Sequence, residues 1–385
     1  MSQPVFRNYF SRQENGFWRF SVETRILACA SISEGKNELD CLFEAFAGRK
    51  IGVVTDQGIH SLPVFKQLIG DSVTTVALVE VDCEQAPIEN AISQMQEKGV
   101  ELILALGGGS VIDAAKLIAA AVPNNEPVDN IIRLNELPRS PVPLVVVPTT
   151  FGTGSEVNII GHLKSGSIKQ SFRRDWMAPS IALLIAEFAI KCPYSLRYLS
   201  ALDAWSHAFE SMTLKGEVSP LQVALAKEAI SIHRQNFKQY IDSPSLEIAG
   251  RIVSASCMAG IILNNARTGL IHALATPFAE KFGLTHSESL LPFIKPAIEY
   301  NWPKISHWND LFDLEGFLAH IDEQYLFGTQ SIMDSWELNI VEKDIDDMVE
   351  ACLKDVVLLK ENPMPLDASV YGMLYRRSLA NWLQK

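Results

Sequence analysis

The chain is 385 residues long, more than one ordinary hydrophobic core organises, so two domains are expected. Hydrophobic residues make up 48% and charged residues 20%, the balance of a soluble globular protein rather than a disordered or membrane-embedded one. A formal net charge of −12 disfavours nucleic acid and anionic membrane as partners, though it leaves room for a locally basic pocket that takes a small anion.

The six cysteines (Cys29, Cys41, Cys83, Cys192, Cys257 and Cys352) are scattered, with no CxxC pair. That argues against a disulfide scaffold and a thiolate metal site, and fits a reducing cytoplasm. The N terminus carries no long apolar run of the secretory type, and LIAAAVP is too short to span a bilayer.

The first half alternates short branched-apolar runs with helical patterns. Lys50–Asp56 (KIGVVTD) reads as a buried strand ending in a polar residue, and Ser72–Val81 as the next strand. Ala86–Gly99 has the pattern of an amphipathic helix closed by glycine. ELILALGGGS is strand into glycine turn, and the helix it opens follows at SVIDAAKLIAAAV. PVPLVVVPTTFGTGSE is a further strand into a second glycine turn. Strand, turn and helix in repetition predict an α/β domain with a parallel sheet, over residues 1–185.

Asp56, at the tip of the first strand, could accept from an adenosine ribose diol and repel a 2′-phosphate, or could simply cap the following turn. A ribose-binding carboxylate is ordinarily met after the glycine turn; here it comes before. Gly107, Gly108, Gly109 and Ser110 let the backbone approach a ligand closely and place a helix start beside it. The run GGGS is not GxGxxG, and a plain tight turn is the alternative. In the second turn Thr149, Thr150, Thr153 and Ser155 offer hydroxyls beside two glycines, as a nucleotide-binding loop or merely a threonine-rich turn would.

From Cys192 the patterns become long and helical: residues 194–212, 219–241, 245–266 and 330–356. A helical domain is expected over residues 186–385, with a small-molecule site in the cleft between the two domains. Asp203 and His207 stand at i and i+4 in ALDAWSHAFES, one turn apart on one helical face. His272 and His286 follow, 14 residues apart, in IHALATPFAEKFGLTHSES. Three imidazoles and one carboxylate suit a borderline divalent ion, Fe²⁺ or Zn²⁺. The chain has only eight histidines, so three on one ion would be a large share; the spacing alone is weak, since it can arise by chance, and the glycine turns upstream give it context.

GGGSVIDAAK, PTTFGTGSEV and the ordered DxxxH…H…H set together resemble the iron-containing, metal-dependent (group III) alcohol dehydrogenase family, over residues 20 to 300. The resemblance implies a dehydroquinate synthase-like fold: an α/β NAD-binding domain followed by an all-helical metal-binding domain. It implies one Fe²⁺ or Zn²⁺ held by Asp203, His207, His272 and His286. It implies NAD contacts from Gly108, Gly109, Ser110, Thr149 and Thr150, with Asp56 matching the aspartate that disfavours NADP. Lys169 matches a lysine that reaches the nicotinamide ribose, while Asp113 and Thr153 lie near the cofactor. A homodimer that interconverts an alcohol and an aldehyde is expected, the ion polarising the substrate oxygen and NAD exchanging the hydride.

Three departures stand out. The family's HxxxH is broken at Thr276, which cannot serve as an acid or base near neutral pH as imidazole can. Arg267, five residues before His272, places a permanent cation where the family has something small or neutral, as a carboxylate anchor or as a surface or salt-bridged arginine. TRILACASIS puts Ala28 and Ala30 at the places of a GxG turn, and SIKQSFRRDW lacks the usual Asp-Pro pair while gathering Lys169, Arg173 and Arg174. These departures resemble a branch that oxidises an alcohol on an acidic sugar, the 3-deoxy-D-manno-octulosonate 8-oxidases. The alternatives are a general short-chain alcohol or diol dehydrogenase, a dehydroquinate-synthase-like or glycerol-dehydrogenase-like enzyme, and a non-catalytic metal- and nucleotide-binding protein.

Overall fold

The computed structural model describes residues 43–384, apart from residues 45, 63–64, 66–68, 70–72, 80–82, 167, 216–218, 265 and 306–313. The N-terminal run with Ala28 and Ala30, and Cys29 and Cys41, lie outside the described residues. The chain divides into two compact units: the chain up to Pro193 with Pro244–Asn264, and Tyr194–Ser243 with Asn265–Lys385. None of the described helices is long and apolar enough to cross a membrane.

The first unit is built on β1 (Ile51–Thr55), β2 (Val73–Leu78), β3 (Leu102–Gly107) and β4 (Leu144–Pro148). A hairpin of β5 (Ile160–Ser165) and β6 (Ile168–Arg173) follows, then β7 (Ile181–Ala182). The main sheet has the order β2-β1-β3-β4-β7, with every pair parallel. β1, β3 and β4 are buried at every position, which explains their unbroken apolar sequence.

Helices α1 (Gln57–His60), α2 (Gln85–Lys98), α3 (Gly109–Asn124), α4 (Val128–Ile131) and α5 (Ala186–Lys191) belong to this unit. In α3 the eleven residues Val111–Ala121 are all buried, so it is apolar almost all round rather than striped. Gly99, left-handed at φ 63°, closes α2 as the sequence leads one to expect.

The strand order bears on the site. From β1 the chain moves to one side for β2, then crosses to the other side for β3. Ligands of open α/β sheets bind outside the carboxyl ends of strands at such a reversal. Thr55 pairs with Leu106 there, and its hydroxyl donates to the Leu106 carbonyl at 2.7 Å. Asp56 and Gly108 therefore follow neighbouring strand ends, although Asp56 comes earlier in sequence.

The second unit holds α6 (Tyr194–Thr213) and α7 (Pro220–Asp242). The next helix, α8 (Leu246–Ile262), returns to the first unit. Asn264 just beyond it ties back there, its side chain accepting from Ile159 N at 2.9 Å and donating to Val157 O at 2.8 Å. The second unit resumes with α9 (Leu270–Phe282), α10 (His286–Ser289), α11 (Ile294–Ile305), α12 (Leu314–Gln324) and α13 (Thr329–Met333). It ends with α14 (Glu342–Leu353), α15 (Val356–Glu361) and α16 (Ala368–Ser378).

Two expectations are corrected. The helical pattern over 330–356 is split into α13, α14 and α15, because Ile340 pairs in extended form with the chain at Leu383. A new helix then starts where the Asp344 side chain accepts from Val341 N at 2.9 Å. The hairpin β5–β6 was not anticipated. Its signal is the Ser165–Gly166 step between two polar–apolar alternating runs, with Gly166 at φ 61° in the turn.

Candidate metal centre and nucleotide-binding turns

Asp203 and His207 share one face of α6, as their spacing requires. His272 sits in the first turn of α9, and His286 is the first residue of α10. That short helix is fixed by a capping box, Thr285 with Glu288, whose residues flank the histidine. One ligand atom from each of the four residues lies within 4.8 Å of every other.

The geometry favours an ion over a hydrogen-bonded cluster. Asp203 Oδ1 is 3.3 Å from His272 Nε2, 3.5 Å from His207 Nε2 and 3.7 Å from His286 Nε2. These distances exceed a good N–H···O bond. They match the ~3.3 Å separating neighbouring ligand atoms in a tetrahedral site with metal–ligand bonds near ~2.0 Å. The other oxygen, Asp203 Oδ2, is buried without a partner among the described residues. A buried carboxylate facing three imidazole nitrogens suits Zn²⁺ or Fe²⁺.

Electrostatics agree. Burial opposes charge on Asp203, but His207, His272 and His286 outweigh it and hold the carboxyl well below the ordinary range. The His207 and His272 rings lie 4.6 Å apart and nearly parallel. Asp203, His207 and His272 are buried, and His286 is about 39% exposed, so the cluster is open on one side only.

Sequence reading missed one residue. Glu210, three residues beyond His207 on α6, is buried, and its Oε2 lies 2.5 Å from His272 Nδ1. Its Oε1 accepts from Ile271 N at 2.5 Å. The signal was present in DAWSHAFE, where Asp203, His207 and Glu210 fall at i, i+4 and i+7, a single helical stripe.

Thr276 stands one turn after His272 and donates its hydroxyl to the His272 carbonyl at 3.0 Å. Arg267 lies just ahead of α9, about half exposed, with NH1 at 3.9 Å from Asp355 Oδ1, the outer edge of an ion pair. Asp355 also caps α15, accepting from Leu358 N at 3.0 Å.

In the first unit the two glycine turns pack directly on one another. A Cβ on Gly108 would meet Thr150 Oγ1 at 3.0 Å, and one on Gly109 would meet Thr153 Oγ1 at 2.8 Å. Thr149 N donates to Gly107 O at 3.0 Å, fixing the start of the second turn. Gly108 is the N-cap of α3 in extended conformation and has no side chain with which to cap it. Ser110 follows in its first turn. A helix start on glycine at a reversal of strand order fits a nucleotide pyrophosphate. Asp56 caps α1, its Oδ1 accepting from Ile59 N at 2.9 Å.

Asp113 belongs to a buried polar cluster. It is buried, with Ser155 Oγ donating to it and His162 Nδ1 2.8 Å away. Lys116 Nζ lies 3.6 Å from Asp113 and donates to Ser155 Oγ at 3.2 Å, Asn158 Oδ1 at 3.1 Å and Ile160 O at 2.7 Å. Burial raises Asp113, but Lys116 and His162 outweigh it and the carboxyl is lowered. Burial likewise lowers Lys116, against the pull of Asp113 and Glu156. Glu156 is pushed up to about 7 by burial.

Lys169 lies in β6 opposite Lys164 of β5, and its side chain is outside what is described. The basic neighbours Arg173 and Arg174 are engaged with backbone. Arg173 donates to Leu263 O, and Arg174 donates to Ile132 O at 2.7 Å and Leu134 O at 3.0 Å.

Residues 30–186 match the family model for iron-containing alcohol dehydrogenase, and residues 198–378 match the C-terminal model of the Fe-containing alcohol dehydrogenase family. The chain is 26% identical over 280 residues to the sulfoacetaldehyde reductase of Bilophila wadsworthia (strain 3_1_6), spanning 70% of this chain and 71% of that protein. It is 24% identical over 295 residues to the NAD-dependent methanol dehydrogenase of Bacillus methanolicus, spanning 74% and 75%. Its fold resembles the solved iron-containing alcohol dehydrogenase from Thermococcus thioreducens, with a TM-score of 0.78 at 22% identity over 94% of this chain and 100% of that one.

Proposed function

The chain belongs to the iron-containing alcohol dehydrogenase family, and from that premise we propose that it interconverts a primary alcohol and its aldehyde on an anionic polyhydroxy substrate. The specific case is oxidation of the 8-hydroxyl of 3-deoxy-D-manno-octulosonate by a cytoplasmic homodimer. The coarser activity follows from the family: a metal- and NAD-dependent oxidoreductase acting on an alcohol/aldehyde pair. We read the two-unit plan as dehydroquinate synthase-like.

The observation that carries the reading is the convergence of three Nε2 atoms on Asp203 Oδ1. Asp203, His207, His272 and His286 would hold the ion, which when bound supplies a Lewis acid for the substrate oxygen. NAD supplies the hydride acceptor or donor. Gly108, Gly109 and Ser110 would carry its pyrophosphate, Thr149, Thr150, Thr153 and Lys169 its nicotinamide half, and Asp56 its adenosine ribose. Asp113 shapes this surface from beneath, through Ser155.

Thr276 has its proton on the His272 carbonyl and so presents lone pairs only. It can orient a water or a substrate hydroxyl but cannot act as an acid. Arg267 supports an anionic substrate: a planar fork of donors, half exposed and only loosely paired with Asp355. Relatives named for sulfoacetaldehyde and for methanol show that the family alone does not decide substrate charge.

The test is NAD⁺ reduction across short alcohols, diols, hydroxy acids and acidic sugars, with Zn²⁺ and Fe²⁺ supplied separately. The acidic sugars should give the highest kcat/KM. Arg267→Ala should raise KM for them and spare neutral alcohols. Equal effects on both classes overturn the anionic reading and leave a general alcohol or diol dehydrogenase.

A further inference from the structure

We propose that Glu210 is the positioning residue that fixes the tautomer and the aim of His272; the inference rests on reading Asp203, His207, His272 and His286 as ligands of one ion. A neutral imidazole has one N–H and one lone pair, and only the lone pair can meet a cation. Which nitrogen keeps it is decided by what faces the other.

On His272 that question has a geometric answer. Nε2 points into the cluster, 3.3 Å from Asp203 Oδ1, and Nδ1 faces Glu210 Oε2 at 2.5 Å. An ionised carboxylate only accepts, so it selects the ring with its proton on Nδ1 and its lone pair on Nε2. The second carboxylate oxygen is occupied by Ile271 N, the residue before the histidine. Glu210 thus grips both the ring and the backbone that carries it.

The same contact ends a helix. The N-cap of α9 is Gly269, which has no side chain to cap with. Glu210 supplies the missing acceptor from α6, and a negative charge at a helix N-terminus is itself favourable. A Cβ on Gly269 would stand 2.9 Å from Glu210 Oε1 and 3.2 Å from its Cδ, so a side chain there would push the carboxylate from its place.

Glu210→Gln keeps the shape and removes the logic. The amide has one acceptor, but Ile271 N–H and His272 Nδ1–H both need one. If the amide oxygen serves Ile271, the NH₂ faces Nδ1 and drives the ring proton onto Nε2, where it blocks the lone pair. If it serves His272, two donors oppose each other in a buried space.

The experiment measures Zn²⁺ affinity by competition with a chromophoric chelator, alongside the melting temperature of the metal-free protein. Glu210→Gln should weaken Zn²⁺ by about 10–100-fold and remain folded. Gly269→Ala, which displaces the carboxylate without deleting it, should weaken Zn²⁺ in the same direction and decides the matter if Glu210→Gln does not fold. In ¹⁵N-histidine spectra of the Zn²⁺-loaded wild type, His272 should carry its proton on Nδ1. Wild-type affinity in both variants, or a His272 proton on Nε2, overturns the role of Glu210 while leaving the ion site standing. A wild-type protein that retains no Zn²⁺ or Fe²⁺ overturns both.

Discussion

Gly154 and Gly260 touch backbone to backbone: a Cβ on Gly154 would stand 2.2 Å from Gly260 Cα, and one on Gly260 would stand 2.6 Å from Gly154 Cα. Gly154 is also left-handed, at φ 63°. The second glycine turn is therefore pressed against α8, and its shape depends on a helix about a hundred residues further along the chain. Gly260→Ala has no flexible side chain to push aside and should destabilise by on the order of 1–3 kcal/mol. Denaturant unfolding reads this directly, and NAD affinity should fall with it. An alanine variant with unchanged midpoint and unchanged NAD binding would show that the turn can shift freely.

Lys116 should be among the most sensitive positions of the first unit. Its ammonium is buried and donates to Ser155, Asn158 and the Ile160 carbonyl, beside Asp113. Lys116→Met keeps the apolar stem and takes the cation from the buried Asp113, a loss of about 3–5 kcal/mol by comparison with other broken buried pairs. A chemical-denaturation midpoint close to wild type would contradict this.

Glu156 sets a pH dependence. Burial lifts its carboxyl to about 7, so the folded protein holds that proton more tightly than the unfolded chain. The resulting stability is fully present below the ordinary glutamate value of 4.5 and is lost as pH rises through about 7. The slope cannot exceed about 1.4 kcal/mol per pH unit for one proton. Glu156→Gln cannot titrate, so its stability should be flatter than wild type between these limits. Parallel profiles for the two proteins would rule the assignment out.

Removing the ion should matter to stability as well as to turnover. Ligands that bind only the native state raise its melting temperature by mass action. Chelation should therefore lower the melting temperature of the wild type, and Zn²⁺ should restore it. His272→Ala should lose both the restoration and NAD⁺ reduction, because the remaining ligands no longer enclose the ion. A melting temperature in His272→Ala that still responds to Zn²⁺ would place the ion elsewhere.

Much of this was readable from residues in order. Unbroken apolar runs marked β1, β3 and β4 because strands buried on both faces have no polar side to show. Asp203, His207, His272 and His286 could be named because their order, together with the two glycine turns, carries the family resemblance; the structure brings the four together. The partners of Arg173 and Arg174 were not legible in the sequence. The charge of the two arginines suggested an anion, and only the fold reveals that they serve the carbonyls of Leu263, Ile132 and Leu134. The partners of Asp113, Ser155 and His162, come from distant segments and have no signature in the sequence around it. Glu210 lay in plain sight on the ligand helix, but an acceptor for a ring nitrogen has no signature until the second helix is in place.

Asp203, His207 and Glu210 form one stripe on α6, so their usefulness depends on rotational phase and not only on identity. Inserting a single residue between Asp203 and His207 would turn everything downstream by about 100° about the helix axis. The histidine and the glutamate would leave the cluster together while every amino acid of the motif remained present. Deletions and insertions in this segment should therefore be far less tolerated than point changes. Four inserted residues, close to one full turn, should do less damage than one.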